Sequence, residues 1–389
     1  MPDKKLDSNH KSASSFFEVI IVGGGLAGLS LSILLAKAGY KVALFEKEKY
    51  PFHKVCGEYI SMESWKFIES LGFDLSNAKL PLIKNLIVSS SNGHFIQSQL
   101  GLGGFGISRY FLDNELKTIA INNQVTLFEE TKVNEVTFQN ELFAITYNGG
   151  ETTASLVAGS FGKRSNLDVK WKRDFINKKP GKLNNYVGVK YHVQSQLTND
   201  TIALHNFKNG YCGVSRVEDN KYCLCYLTSA KNLKEHHHSI KEMEKAVLYQ
   251  NPFLKKIFSE SHFLFKEPVT ISQISFDRKS QVENHVLMIG DAAGMITPLC
   301  GNGMSMAFHS AKIAFKNIDG FFKRNFSREA MEKQYATEWR KVFENRLRNG
   351  RIIQKLFGKT LLTNVFIRIV KYFPFIIKRM IKATHGKEF

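Results

Sequence analysis

No run of about 18 consecutive apolar residues occurs in the chain, so no segment reads as a membrane span. The polar stretch from Met1 to Ser15 lacks the apolar centre of a signal peptide and reads as part of a flexible N-terminal extension, residues 1–16. Cysteine is scarce, with five residues (Cys56, Cys212, Cys223, Cys225 and Cys300) and no paired metal-ligand spacing. An odd, sparse set argues against a disulfide framework and for a reducing, cytoplasmic compartment, and no metal site is expected. Acidic residues are also in deficit, 35 against 54 Lys and Arg, which leaves a formal net charge of +19. Such a charge attracts anionic surfaces, yet no nucleic-acid-binding motif accompanies it, so no nucleic-acid partner is expected. Internal repeats and low-complexity linkers are missing too. What remains, 389 residues with 43% hydrophobic content, is enough for two packed domains.

The first informative stretch is "FEVIIVGGGLAGLSLSILLAKAGYKVALFEKE", Phe17 to Glu48. Val19 to Val22 is a short apolar run of the kind found in a buried parallel strand. Gly23, Gly25 and Gly28 follow in the spacing G-x-G-x-x-G, then a helical segment, a stop at Gly39, and a second strand ending at Glu46. Gly23 allows the tight turn, Gly25 lets a pyrophosphate approach the backbone, and Gly28 lets helix and strand pack closely. The helix N-terminus offers N–H groups to the phosphates, and Glu46 is placed to accept hydrogen bonds from a ribose diol. This is a dinucleotide-binding unit.

A second stretch, "NHVLMIGDAAGMITPLCGNGMSMAFHSAKIAF", Asn284 to Phe315, selects the dinucleotide. It reads as strand, Gly290–Asp291 turn, loop and helix. Asp291 is placed to bind a ribityl hydroxyl. Gly301, Asn302 and Gly303 precede the helix, whose N–H groups and dipole would stabilise negative charge on a reduced isoalloxazine. The two units together point to FAD.

With these motifs the chain resembles the FAD-dependent oxidoreductases that include geranylgeranyl reductases, flavin halogenases and aromatic hydroxylases related to p-hydroxybenzoate hydroxylase. It is most similar to the geranylgeranyl-reductase branch, through Cys56–Gly57 after the first unit and through Gly290 to Gly303. "SRYFLDNELKTIA" matches the family's Arg-containing helix start and implies that Arg109 contacts FAD. Two features depart from relatives: Phe161 stands where the hydroxylases carry the Asp of an Asp-Gly pair, and the halogenase W-x-W-x-I-P motif is absent. The resemblance implies an α/β fold, with a Rossmann-like FAD-binding domain of the glutathione-reductase type, an inserted antiparallel sheet and C-terminal helices. The implied activity is hydride transfer from FAD, reduced by NAD(P)H or another external donor, to a carbon–carbon double bond of a lipophilic substrate. Hydroxylation of an aromatic or polyketide-like substrate is the alternative. A non-catalytic flavin-binding protein at a membrane surface is a third reading.

The expected organisation is a discontinuous FAD domain (17–81, 108–165 and 270–320), a substrate domain of alternating strands (82–107 and 166–269), and basic helices (321–389). Asn92–Gly93, Asn209–Gly210 and Asp219–Asn220 are its hairpin turns. Residues 341–389 hold twelve Lys and Arg against two Glu, interleaved with apolar residues at helical spacing. An anionic membrane surface is therefore a candidate partner for this tail, with a peripheral location on the inner face of the membrane.

One short stretch, "KVCGEYIS", Lys54 to Ser61, carries the candidate chemistry. Cys56 is expected at the reactive face of the flavin, where its thiol would position substrate or donate a proton. The plain alternative is a small residue packed at a tight turn. Glu58 is the nearest carboxylate and a candidate acid.

Overall fold

The run Val19–Val22 has no polar side chain to offer solvent, and its burial dictates the first layer. A computed structural model describes residues 15–177, 184–325, 327–355 and 357–389; most of the expected N-terminal extension lies outside them. Strand Phe16–Val22 pairs in parallel with Val42–Phe45 on one side and Gly150–Gly159 on the other. The expected extension therefore ends earlier than residue 16, because Phe16 is already in register with Thr153. The sheet continues in parallel to Thr126–Phe128 and to Val286–Met288. A hairpin, Val133–Gln139 with Leu142–Tyr147, adds antiparallel strands beside Gly150–Gly159. Helices Leu26–Lys37 and Gly303–Phe322 pack together and bury their apolar residues in the core of this sheet.

The second sheet is mostly antiparallel. Its order is His262–Phe263, Asn184–Gln194, Tyr222–Ser229, Gly210–Arg216, Thr201–Phe207, Leu82–Ser89, Phe95–Gly106 and Tyr59–Ser61. Asn209, Asp219 and Asn220 take positive φ at the hairpin turns, as Asn and Asp tolerate. Two segments cross the expected domain boundaries. Tyr59–Ser61 pairs with Phe95–Gly106, and Val269–Ser275 pairs with Asn184–Gln194, so both belong to the second sheet. Main-chain pairing outweighs sequence proximity to the flavin motifs at these points.

The period of two sorts the second sheet into unlike faces. Val189, Tyr191, Val193, Val214, Leu224 and Tyr226 point to one side, where helices Ile240–Val247 and Pro252–Glu260 cover them. The other side looks toward the first domain. Its apolar end, including Leu86, Val88, Leu204 and Leu227, is roofed by helices Thr360–Tyr372 and Phe375–Thr384. Its opposite end carries Lys190, His192, Cys223 and Cys225, with Lys190 paired to Cys225 and His192 to Cys223 in the strand register.

Candidate active site

Between the two sheets lies a cleft of about 1560 Å³. A typical small-molecule pocket is roughly 300–1,000 Å³, so this one has room for a dinucleotide and a second molecule. Of the candidate flavin contacts and candidate chemical groups, all line it except Gly28 and Asn302.

The three glycines of the first turn do different work. Gly23 has φ +106°, and a Cβ there would lie 2.4 Å from the Ser160 carbonyl oxygen. A Cβ on Gly28 would lie 2.1 Å from the Gly23 carbonyl oxygen. Both positions are closed by the protein's own backbone. Gly25 is open: its Cβ would meet only the Arg109 guanidinium, at 4.0 Å. Helix Leu26–Lys37 starts there with no side-chain cap and no acidic residue in its first turn. Its first N–H groups thus face the cleft, as a phosphate cradle requires. Helix Gly303–Phe322 is likewise uncapped and free of first-turn acids, and its Gly303 and Met304 also line the cleft. The cleft therefore holds two anion-receptive helix ends, and this arrangement fits the pyrophosphate and the pyrimidine edge of FAD.

Glu46 ends the second strand and accepts the Gly24 N–H at 3.0 Å and the Glu48 N–H at 3.1 Å, one on each carboxylate oxygen. Tyr50 donates to the Gly24 carbonyl and braces the same turn. Arg109, first residue of helix Arg109–Asn122, is held by Asp113 through two bonds of 2.7 and 2.8 Å, with Lys54 on the same carboxylate at 2.9 Å. Burial would raise the Asp113 carboxyl, but the charges of Arg109 and Lys54 bring it below its ordinary value. Gly290 takes φ +58° and lets its turn approach Ala27. Burial pushes the Asp291 carboxyl upward against the opposing charges of Lys279, Arg109 and Lys163.

The side chain of Asn302 does not line the cleft. It is fully buried, and its Nδ2 donates to the Thr384 carbonyl oxygen at 2.5 Å. Its side chain anchors the last helix, while the N–H groups beyond it face the cleft.

Glu58 also requires a correction. Its carboxylate is fully buried, accepts the Arg109 N–H at 2.7 Å, and meets Lys190 Nζ and His192 Nε2 at 2.5 Å each. Burial alone would raise its pKa, but Lys190 and the His192 hydrogen bond hold it at about 2. A carboxylate so held stays ionised and cannot serve as the acid. Glu58, His192 and Cys223 do bring three ligand-type atoms within 4.8 Å of one another. Lys190 already supplies a positive charge to that carboxylate, so a metal ion would have to displace it.

The turn beside Glu58 is held by residues of the second sheet. Gly57 O accepts from Ser215 Oγ at 3.0 Å, and Cys56 O accepts from Cys223 Sγ at 3.2 Å. The Cys56–Gly57 turn is thereby clamped onto the second sheet, with the Cys56 thiol half-buried in the cleft wall. Burial pushes that thiol above the ordinary cysteine range, with Arg109 opposing. It is a neutral thiol. The side chain of Cys300 lies outside the described residues.

The sequence reading missed Lys190, His192, Arg173 and Lys279. Lys190 and His192 did leave a signal: two basic residues spaced two apart inside the apolar strand "YVGVKYHVQ". Arg173 and Lys279 left none. Arg173 binds Asp168 at 2.6 Å and the Ala292 carbonyl at 3.1 Å, and Lys279 binds the carbonyls of Lys163 and Asp291 at 2.7 and 2.8 Å. Together they tie the Asp291 turn to the loop after Gly159.

Substitution of Cys56 separates chemistry from packing. Cys56→Ser and Cys56→Ala are expected to keep flavin content and thermal stability, with turnover falling at least severalfold in both. Unchanged steady-state rates in Cys56→Ala would assign the residue to packing alone.

Comparison with known proteins agrees with this geometry. The family model described as "FAD binding domain" matches residues 17–348. A digeranylgeranylglycerophospholipid reductase of Methanococcus vannielii is 26% identical, over 87% of this chain and 87% of its own. A kynurenine 3-monooxygenase of Christiangramia forsetii is 22% identical, over 84% of this chain and 75% of its own. In fold, the chain resembles the crystal structure of a flavoprotein/dehydrogenase from Cytophaga hutchinsonii, with a TM-score of 0.74 and 18% identity over 90% and 88% of the two chains. With two uncapped helix ends, an open glycine and an acid-closed turn around one cleft, the chain belongs to the FAD-binding-domain family and is an FAD-dependent oxidoreductase.

Proposed function

We propose that this oxidoreductase reduces a carbon–carbon double bond in a lipophilic substrate. The observation that carries the reading is the division of the cleft-facing side of the second sheet. Its apolar end continues from the cleft into a smaller cavity of about 60 Å³ lined by Leu86, Leu100, Phe357 and Ile377. Tyr59, Ile202, Leu204 and Gly301 line both spaces. The small cavity has room for the end of an apolar chain, the rest of which would lie in the cleft with its reactive carbons beside the Cys56 turn.

FAD, when bound and reduced by NAD(P)H or another two-electron donor, supplies the hydride. The second carbon needs a proton, and the neutral Cys56 thiol is placed to hold it. Lys190 and His192 bind the Glu58 carboxylate, which stays ionised and so is not the proton source. The likeness to the methanogen reductase supports this reading at the level of chemistry class.

The kynurenine monooxygenase likeness supplies the competing reaction. Product mass distinguishes them. With a polyprenyl lipid, a donor and isotopically labelled dioxygen, the product should gain two hydrogens per double bond and no label. Incorporation of labelled oxygen would replace reduction by hydroxylation.

A further inference from the structure

The penultimate helix, Thr360–Tyr372, is apolar on both sides. Ile367 and Val370 face inward and close the apolar end of the second sheet. Leu361, Val365, Ile369 and Tyr372 recur at helical spacing on the outward side. Leu361 and Tyr372 are each 81% exposed, and Phe373 and Phe375 extend the patch beyond the helix. A soluble monomer rarely leaves so continuous an apolar stripe uncovered.

The last helix, Phe375–Thr384, completes the surface differently. Ile377 points inward, whereas Lys378, Arg379 and Lys382 are exposed. Arg368 and Lys371 are exposed on the preceding helix. The two helix axes are bent by 112° at Phe373–Pro374, and neither helix alone is long and apolar enough to cross a membrane. Apolar side chains rimmed by cations, on helices that lie flat, match the acyl–headgroup boundary of a bilayer carrying negative charge.

We infer that this bent helix pair docks the protein on an anionic lipid bilayer. The surface requires negative headgroups for its cations and acyl chains for its stripe, and a bilayer provides both at the same depth. Docking does not depend on which reaction the site performs. If the lipophilic-substrate reading holds, one consequence rests on it: Ile377 and Ile381 line the small cavity, so the docked helices would stand between the bilayer and the apolar end of the cleft.

The test is co-sedimentation of the full-length FAD-loaded protein with vesicles of phosphatidylcholine alone or mixed with phosphatidylglycerol. Binding is expected only with phosphatidylglycerol, and it should weaken as salt rises. A variant with Lys371, Lys378, Arg379 and Lys382 changed to Gln should bind roughly a hundred- to a thousandfold more weakly. A second variant, Leu361→Ser with Val365→Ser and Ile369→Ser, should lose binding even at low salt. Both should keep flavin content and melting temperature, since the changed side chains are exposed. Equal binding to both kinds of vesicle, or binding to neither, would overturn the inference. So would a stable dimer that buries this stripe and leaves vesicles unbound.

Discussion

Gly25→Val is expected to yield a folded, colourless protein. Gly25 has φ −80° and ψ −177°, an extended conformation that valine adopts without strain. Its Cβ would meet nothing closer than the Arg109 guanidinium at 4.0 Å, so the apoprotein has room for it. The branched side chain would instead occupy the space through which a pyrophosphate reaches the N–H groups of helix Leu26–Lys37. Flavin absorbance per protein should fall to a few per cent or less of the unsubstituted level, with far-ultraviolet circular dichroism unchanged. Gly23→Val and Gly28→Val should behave differently, because each drives a Cβ to 2.4 Å or less from a carbonyl oxygen. Those variants should misfold, whereas Gly25→Val should only fail to bind. Stoichiometric FAD in Gly25→Val would show that the cofactor does not approach this turn.

Lys190→Met should be strongly destabilising. It leaves the Glu58 carboxylate buried with its principal counter-charge removed, a change that typically costs about 3–5 kcal/mol. The melting temperature of a chain this long should fall by roughly 4–6 °C. The double variant Glu58→Gln with Lys190→Met should be more stable than the sum of the single changes, because no uncompensated charge remains. Acid should act on the same cluster. Glu58 titrates at about 2 in the folded protein against an ordinary 4.5. Its stabilising contribution is therefore complete above pH 4.5 and is lost as the pH falls from there toward 2. A urea-unfolding series across that window should show a smaller acid-induced loss in Glu58→Gln. An identical loss in both proteins would assign the acid sensitivity elsewhere.

The flavin-binding half was legible because its signals are local. Gly23, Gly25, Gly28 and Glu46 sit within one strand–turn–helix–strand unit, where spacing alone sets geometry. The Gly290–Asp291 turn and the helix after Gly303 were legible for the same reason. Direction was not. The G-N-G spacing places Asn302 beside the cofactor loop, but the side chain turns away to Thr384, 82 residues later. Glu58 read as an acid because it is the nearest carboxylate in sequence to Cys56. Lys190 and His192, more than 130 residues away, keep it an anion at neutral pH. Only the pairing of the second sheet brings those residues together, and pairing partners are not written in the alternation of a single strand.

Anaerobic single turnover tests the proposed reaction most directly. The protein is loaded with FAD, reduced chemically under nitrogen, and mixed with a polyprenyl lipid in detergent. The oxidised flavin spectrum should return at a rate proportional to lipid concentration, with one double bond saturated per flavin. A reduced spectrum that persists until air is admitted, with oxygen then found in the product, would contradict double-bond reduction.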